Sequence, residues 1–265
     1  MKIKIVCVQT TSSQFPMKNI QLLDKVLAGK NLIGADLVCL PECVAIFSDN
    51  KKKIQDYIAN WHEKFLNLIK GYAKKNNSYF LIGSVPYKKN NLKLLNRSLL
   101  IDPGGVIISH YDKINLFDVT LSKTESYLES KNYDPGYKFS VNSLPWGKLG
   151  MTICYDLRFP YIYKKLAKKG ADFFSIPAAF TYTTGKFHWK PLLTARAIEN
   201  GCFVFAPAQC GKHDNGRVTY GHSMIIDPWG RILKSAKNSI GTVSCSINLG
   251  EIEASRKRIP AMTEF

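Results

Sequence analysis

The chain has 265 residues, 45% of them hydrophobic, with 14 Phe, 13 Tyr and 4 Trp to fill an interior. That suits one large α/β core, a single domain over residues 1–265, and no apolar run nears the ~20 residues of a membrane span. A net charge of +17 suits either a nucleic-acid binder or a solvated lysine-rich surface.

The lysines are scattered rather than striped. The densest groups, Lys51–Lys53, Lys164/Lys165 with Lys168/Lys169, and Arg256–Arg258, fall at helix ends or on polar faces, and no RNP, zinc-finger or helix-turn-helix signature accompanies them. The expectation is a solvated surface with no nucleic-acid partner and no membrane partner. The opening MKIKIVCVQ is too brief for a signal-peptide core and alternates like a strand, so a cytoplasmic location is expected. The seven cysteines are odd in number, lie mostly in apolar segments and show no C-x-x-C spacing, and the five histidines show no H-x-x-x-H spacing. No disulfide framework, metal or cofactor is expected.

In chain order, Lys2–Val8 reads as an inner strand, a helix is predicted at about Asn19–Gly29, and Ala35–Leu40 is a continuous apolar run that ends in Pro41-Glu42. Ile54, Tyr57, Ile58, Trp61, Phe65, Leu68, Ile69 and Tyr72 recur at helical steps and predict one amphipathic helix closed by Asn76-Asn77. Tyr79–Val85 returns as a strand. Arg97–Ile101 and Val106–Tyr111 flank the turn Asp102-Pro103-Gly104-Gly105, a hairpin signal. Residues 114–137 lack periodicity, and a loop of that length in a compact domain points to function. Phe139–Leu144 and Lys148–Ile153 form a second predicted hairpin, followed by helix Pro160–Lys169, strand Ala171–Ile176, a helix at about His188–Asn200 and strand Cys202–Ala206. A third hairpin, His222–Ile226 with Arg231–Lys234, precedes a last strand at Gly241–Ile247. Residues 3–40 and 148–176 read as two related strand–helix–strand halves, and two mixed sheets with helices outside fit the pattern.

Three strand ends carry different chemistries. Glu42 follows LVCLP, Lys113 follows VIISHYD and Cys154 follows LGMTI. Residues just past the carboxyl ends of strands converge on one crevice. There a carboxylate, an ammonium and a thiol suit attack on an amide or nitrile carbon. Glu42 would take the thiol proton and later activate water, and Cys154 would form a thioester. Lys113 and the backbone N–H of Tyr155 would hold the oxyanion. A strained strand-to-helix turn would present the thiol, and helix-start N–H groups would lower its pKa. Taken singly, each residue has a plainer reading: a buried cysteine, a helix-start acid, a solvated lysine. A different cysteine hydrolase with His110 or His188 as base is also open, as is a non-enzymatic binder using the basic surface.

PE at 41–42, YDKINLFD at 111–118 and CYDLRFPY at 154–161 resemble the motifs of the nitrilase, or carbon–nitrogen hydrolase, superfamily. The resemblance runs over essentially the whole chain. It implies a four-layer α-β-β-α sandwich, usually paired into a homodimer or higher oligomer. By position, Glu42 is the base, Lys113 the stabilising amine and Cys154 the nucleophile. Glu129, in LESKNYDPG, matches a second glutamate beside them. PAAFTYTTGKFHW, RAIEN, AQCGKH and YGHSMIIDPWG are similar to the deaminated glutathione amidase branch. That implies a cofactor-free amidase acting on a small carboxylate-bearing amide through a cysteinyl thioester, with release of ammonia. The sister ω-amidase activity on α-ketoglutaramate, and carbamoyl-amine or aliphatic amide hydrolysis, stay open. Arg158 matches an arginine that holds a substrate carboxylate, although a helix-start arginine paired with Asp156 is an equal alternative. Phe180 and Thr184 match pocket positions, with core packing the rival for Phe180. VTLSKTESY (119–127) replaces a more usual Pro/Gly-bearing stretch of the lid. The closing RIPAMTEF lacks the basic tail expected for C-terminal dimer contacts.

Overall fold

The computed structural model describes residues 1–89 and 93–261; residues 262–265, the end of RIPAMTEF, lie outside them. The first sheet is built from β1 (Lys2–Gln9), β2 (Leu37–Cys39), β3 (Tyr79–Lys88), β4 (Leu94–Ile101) and β5 (Ile107–Asp112). Helices α1 (Pro16–Leu27), α2 (Lys51–Asp56) and α3 (His62–Asn76) lie between these strands in sequence. A small ribbon, β6 (Asp118–Thr120) with β7 (Ser126–Leu128), interrupts the long segment that follows. The second sheet begins with β8 (Ser140–Leu144) and β9 (Gly147–Met151), then α4 (Pro160–Lys168), β10 (Phe173–Ser175), α5 (Tyr182–Asn200) and β11 (Phe203–Ala206). After the short pair β12 (Cys210–Lys212) and β13 (Val218–Tyr220) come β14 (Met224–Ile226), β15 (Ile232–Ser235), β16 (Gly241–Asn248) and α6 (Gly250–Arg258).

The strand orders are β16-β1-β2-β3-β4-β5 and β15-β14-β11-β10-β9-β8. Both sheets repeat one pattern of direction. β1, β2 and β3 are parallel with antiparallel neighbours outside them, and so are β9, β10 and β11. The related halves expected from residues 3–40 and 148–176 are thus the units β1–α1–β2 and β9–α4–β10.

Alternation along the strands produces the layers. Ile5 and Cys7 of β1 join Met151, Phe173 and Phe205 in the core between the sheets. Val6 and Val8 face the other way and pack with Leu23 of α1 and Phe65 and Ile69 of α3. Ile162 and Leu166 of α4 and Trp189 and Leu193 of α5 cover the second sheet. The molecule is therefore the expected four-layer α-β-β-α sandwich.

Several boundaries differ from the sequence reading. The first helix begins at Pro16, because proline is tolerated where the helix N–H has no partner, and it ends at Leu27. The single helix expected over 54–72 is broken by a π-turn at Tyr57–Trp61, where the buried Tyr57 hydroxyl bonds His62 Nδ1 at 3.0 Å. Helix α5 starts six residues before the predicted His188. The Thr181 hydroxyl caps it by accepting from the Thr184 N–H at 3.4 Å.

Candidate active site

Local backbone geometry fixes where the three strand ends point. Cys154 has φ +46° and Cys43, next to Glu42, φ +54°; both lie in the left-handed region that L-residues rarely occupy. The strained turn expected at Cys154 is present. It opens a short 3-10 turn, Cys154–Arg158, and the α-helix starts only at Pro160. Asp156 anchors this turn. Fully buried, its carboxylate accepts from the Ile153 N–H at 3.0 Å, the Tyr111 hydroxyl at 2.8 Å, and the Asn115 N–H and side chain at 3.0 and 2.9 Å. One acid thereby ties the Cys154 turn to the segment beyond Lys113.

Glu42, Lys113 and Cys154 are 4%, 2% and 7% exposed and line one cavity of about 220 Å³ together with Glu129. Lys113 Nζ donates to Glu42 Oε1 at 2.9 Å and to Glu129 Oε2 at 2.8 Å. Glu42 Oε2 accepts from the Ala179 N–H at 2.8 Å, and the Phe117 N–H donates to Glu129 Oε2 at 2.7 Å. Asn96 completes the set. Its Nδ2 donates to Glu42 at 3.1 Å and Glu129 at 2.8 Å, holding two like charges apart on either side of the ammonium. Sequence reasoning missed Asn96; the available signal was an amide inside the apolar strand LLNRSLLI. Two glycines bring backbone close to these groups: a Cβ at Gly83 would lie 2.1 Å from the Leu40 carbonyl oxygen, and one at Gly136 2.2 Å from that of Asp112.

Burial works against the charged forms, but partners decide the outcome. Burial alone would raise the Glu42 carboxyl; the Lys113 charge and the hydrogen bonds from Lys113, Cys154 and Ala179 outweigh it and hold Glu42 below the usual range. Burial would lower Lys113, but Glu129 and Glu42 push it well above the ordinary ammonium value. At Cys154, burial comes first and the neighbouring Glu42 charge adds to it; both raise the thiol well above its usual value despite Lys113. The sequence expectation of a lowered thiol is therefore corrected. No α-helix starts at the sulfur, and burial, with the adjacent carboxylate adding to it, sets the direction.

The remaining candidates gather on the other side of the thiol. Arg158, Phe180 and Thr184 line a narrow space of about 10 Å³ with Cys154 and Tyr155. Arg158 does not pair with Asp156; its Nη1 lies 3.2 Å from His188 Nδ1 and its guanidinium 5.1 Å from the Phe180 ring. Phe180 is also core, 5.0 Å from Trp189, and the Thr184 hydroxyl bonds that of Thr181 at 2.7 Å. His110 and His188 are absent from the walls of the larger cavity. The 119–127 segment forms most of the β6–β7 ribbon, and Tyr127 lines that cavity.

A four-layer sandwich whose strand ends bring an acid, an amine and a thiol into one buried pocket has the architecture and chemistry suited to hydrolysis of carbon–nitrogen bonds. The sequence profile of the carbon–nitrogen hydrolase family matches residues 4–257. A deaminated glutathione amidase of Synechocystis is 39% identical over 260 residues, covering 96% of this chain and 94% of the relative. One of Dictyostelium discoideum is 39% identical over 252 residues, covering 91% and 84%. The crystal structure of the Caenorhabditis elegans NitFhit protein superposes with a TM-score of 0.88 at 34% identity, over 98% of this chain and 64% of that one. The chain belongs to the carbon–nitrogen hydrolase family: it is an amidase, acting on carbon–nitrogen bonds other than peptide bonds. Among the described residues no helix is long and apolar enough to cross a membrane.

Proposed function

We propose that the protein hydrolyses the amide of deaminated glutathione through a cysteinyl thioester. The observation that carries this reading is the Lys113 ammonium held between Glu42 and Glu129 in the cavity that also contains Cys154. Relatives that bear the same activity in their names support the substrate.

Glu42, ionised at neutral pH, takes the Cys154 proton as sulfur attacks the amide carbon. The carbonyl oxygen becomes an anion that Lys113 and the Tyr155 N–H stabilise; that N–H belongs to the donors a turn start leaves without an internal partner. As the intermediate collapses, Glu42 returns the proton to the departing nitrogen and the C–N bond breaks. Water then attacks the thioester, Glu42 takes its proton, and the restored thiol leaves a carboxylic acid. Glu129 and Asn96 keep Lys113 charged and aimed. The departing amine is cysteinylglycine from deaminated glutathione and ammonia from a primary amide such as α-ketoglutaramate. Arg158, Phe180 and Thr184 hold the acyl half, the Arg158 fork taking its carboxylate. The protein works without a cofactor, in the cytoplasm, as a homodimer or larger homo-oligomer, its lysines forming a solvated surface.

The test is turnover of deaminated glutathione, α-ketoglutaramate, an N-carbamoyl amine and an aliphatic amide, reading both ammonia and the new carboxylate. Preference for deaminated glutathione is expected. Cys154→Ala should lose at least about a thousandfold in kcat, and mass spectrometry should find the acyl adduct on Cys154 of the wild type. Full turnover by Cys154→Ala would overturn the mechanism; preference for α-ketoglutaramate would move the protein to ω-amidase activity.

A further inference from the structure

Arg217 also lines the cavity that holds Cys154. Its guanidinium carbon sits 4.6 Å from the centres of both the Phe47 and the Tyr127 rings, so two aromatic groups fix its position. Nε is sealed from solvent with no hydrogen-bond partner, and among the described residues no carboxylate forms an ion pair with this side chain. Arg97, Arg196, Arg231 and Arg256, by contrast, are each paired with an acid.

The turn that carries Arg217 is built to hold still. The His213 N–H donates to the Arg217 carbonyl at 2.8 Å, and Gly216 supplies the φ of +90° that the turn requires. Asn215 donates to the Phe47 carbonyl at 3.1 Å and accepts from the Arg217 N–H at 3.2 Å. His213 Nδ1 lies 2.8 Å from the Ser12 carbonyl and Nε2 2.8 Å from the Thr219 hydroxyl. A carbonyl only accepts, so Nδ1 carries the hydrogen. The Tyr127 hydroxyl shares a hydrogen bond with this side chain, but among the described residues no acid neutralises its charge, so an anion beside it in the cavity is favoured.

We propose that Arg217 binds the terminal carboxylate of the departing amine half and so selects amides whose leaving group is a short peptide acid. This rests on the reaction assigned above. The acyl half occupies the Arg158 side of the thiol, leaving the amine half the wider cavity bounded by Phe47, Tyr127 and Arg217. A dipeptide reaches about 7 Å when extended, and the planar fork takes its carboxylate through two parallel hydrogen bonds. Lys131, which also lines the cavity, adds attraction for an anion.

The experiment compares two 2-oxoglutaryl amides with the same acyl group, one of cysteinylglycine and one of cysteinylglycinamide, alongside α-ketoglutaramate. The wild type should favour the carboxylate over the carboxamide by about ten- to a hundredfold in kcat/KM, mostly through KM. In Arg217→Met that ratio should fall close to one, and in Arg217→Lys to an intermediate value. The ratio is taken within one sample, so partial unfolding of a variant cancels. A wild-type ratio of one, or an undiminished ratio in Arg217→Met, would overturn the assignment and leave the amidase reading intact. Cleavage of α-ketoglutaramate with neither dipeptide amide cleaved would remove the substrate reading and this one together.

Discussion

At neutral pH Cys154 carries its proton, because burial and the Glu42 carboxylate outweigh Lys113. A raised thiol pKa means less thiolate than in a free cysteine, so the proposed mechanism requires Glu42 as its base. Alkylation of Cys154 by iodoacetamide, followed on its own peptide by mass spectrometry, should therefore keep rising through about pH 9, the ordinary thiol value. A plateau below neutrality would show a resting thiolate and remove the need for Glu42. Glu42, Lys113, Glu129 and Cys154 were legible in the sequence because each stands beside a recognisable strand end or motif. Asn96 and Arg217 were not. One is an amide within a strand and the other an arginine after a polar turn; only folding shows that Asn96 separates two carboxylates or that Arg217 lacks an acid.

The elements place these side chains by close backbone approach. Gly83 of β3 lies against Leu40 and Pro41, just before Glu42, with no room for a Cβ. Gly83→Ala should lower stability by about 1–3 kcal/mol and reduce turnover as the Glu42 segment is displaced. Gly71, mid-helix in α3 with open space around its Cβ position, is the control: Gly71→Ala should stabilise by about 0.5–1 kcal/mol with turnover unchanged. Urea unfolding with parallel assays checks both, and equal behaviour of the two variants would refute the argument. Strands and hairpins were readable from alternation and from turns such as Asp102-Pro103-Gly104-Gly105. The true start of α5 and the π-turn before α3 were not, since a threonine cap and a single buried tyrosine contact decide them against local propensity.

On the scale of the whole molecule, the site exists only because two sheets of like design face each other. Glu42 and Lys113 leave the first sheet, Cys154 the second, and Asp156 joins them through Tyr111 and Asn115. The related halves hinted at this arrangement, but the pairing of first and last strands did not show in any local pattern. β16 lies antiparallel to β1 over eight residue pairs, from Lys2 with Asn248 to Gln9 with Gly241.

That pairing sets a timetable for biosynthesis. β1 leaves the ribosome well before its outer partner, which is translated only after more than two hundred further codons, on the order of tens of seconds later at ordinary elongation speeds. Throughout that interval β1 offers a bare edge to any other nascent polypeptide. A version ending at residue 240 should accordingly collect in inclusion bodies or be degraded, and adding 241–248 as a separate peptide during refolding should recover soluble material. Soluble, protease-resistant protein from the truncated version alone would show that the waiting edge is harmless.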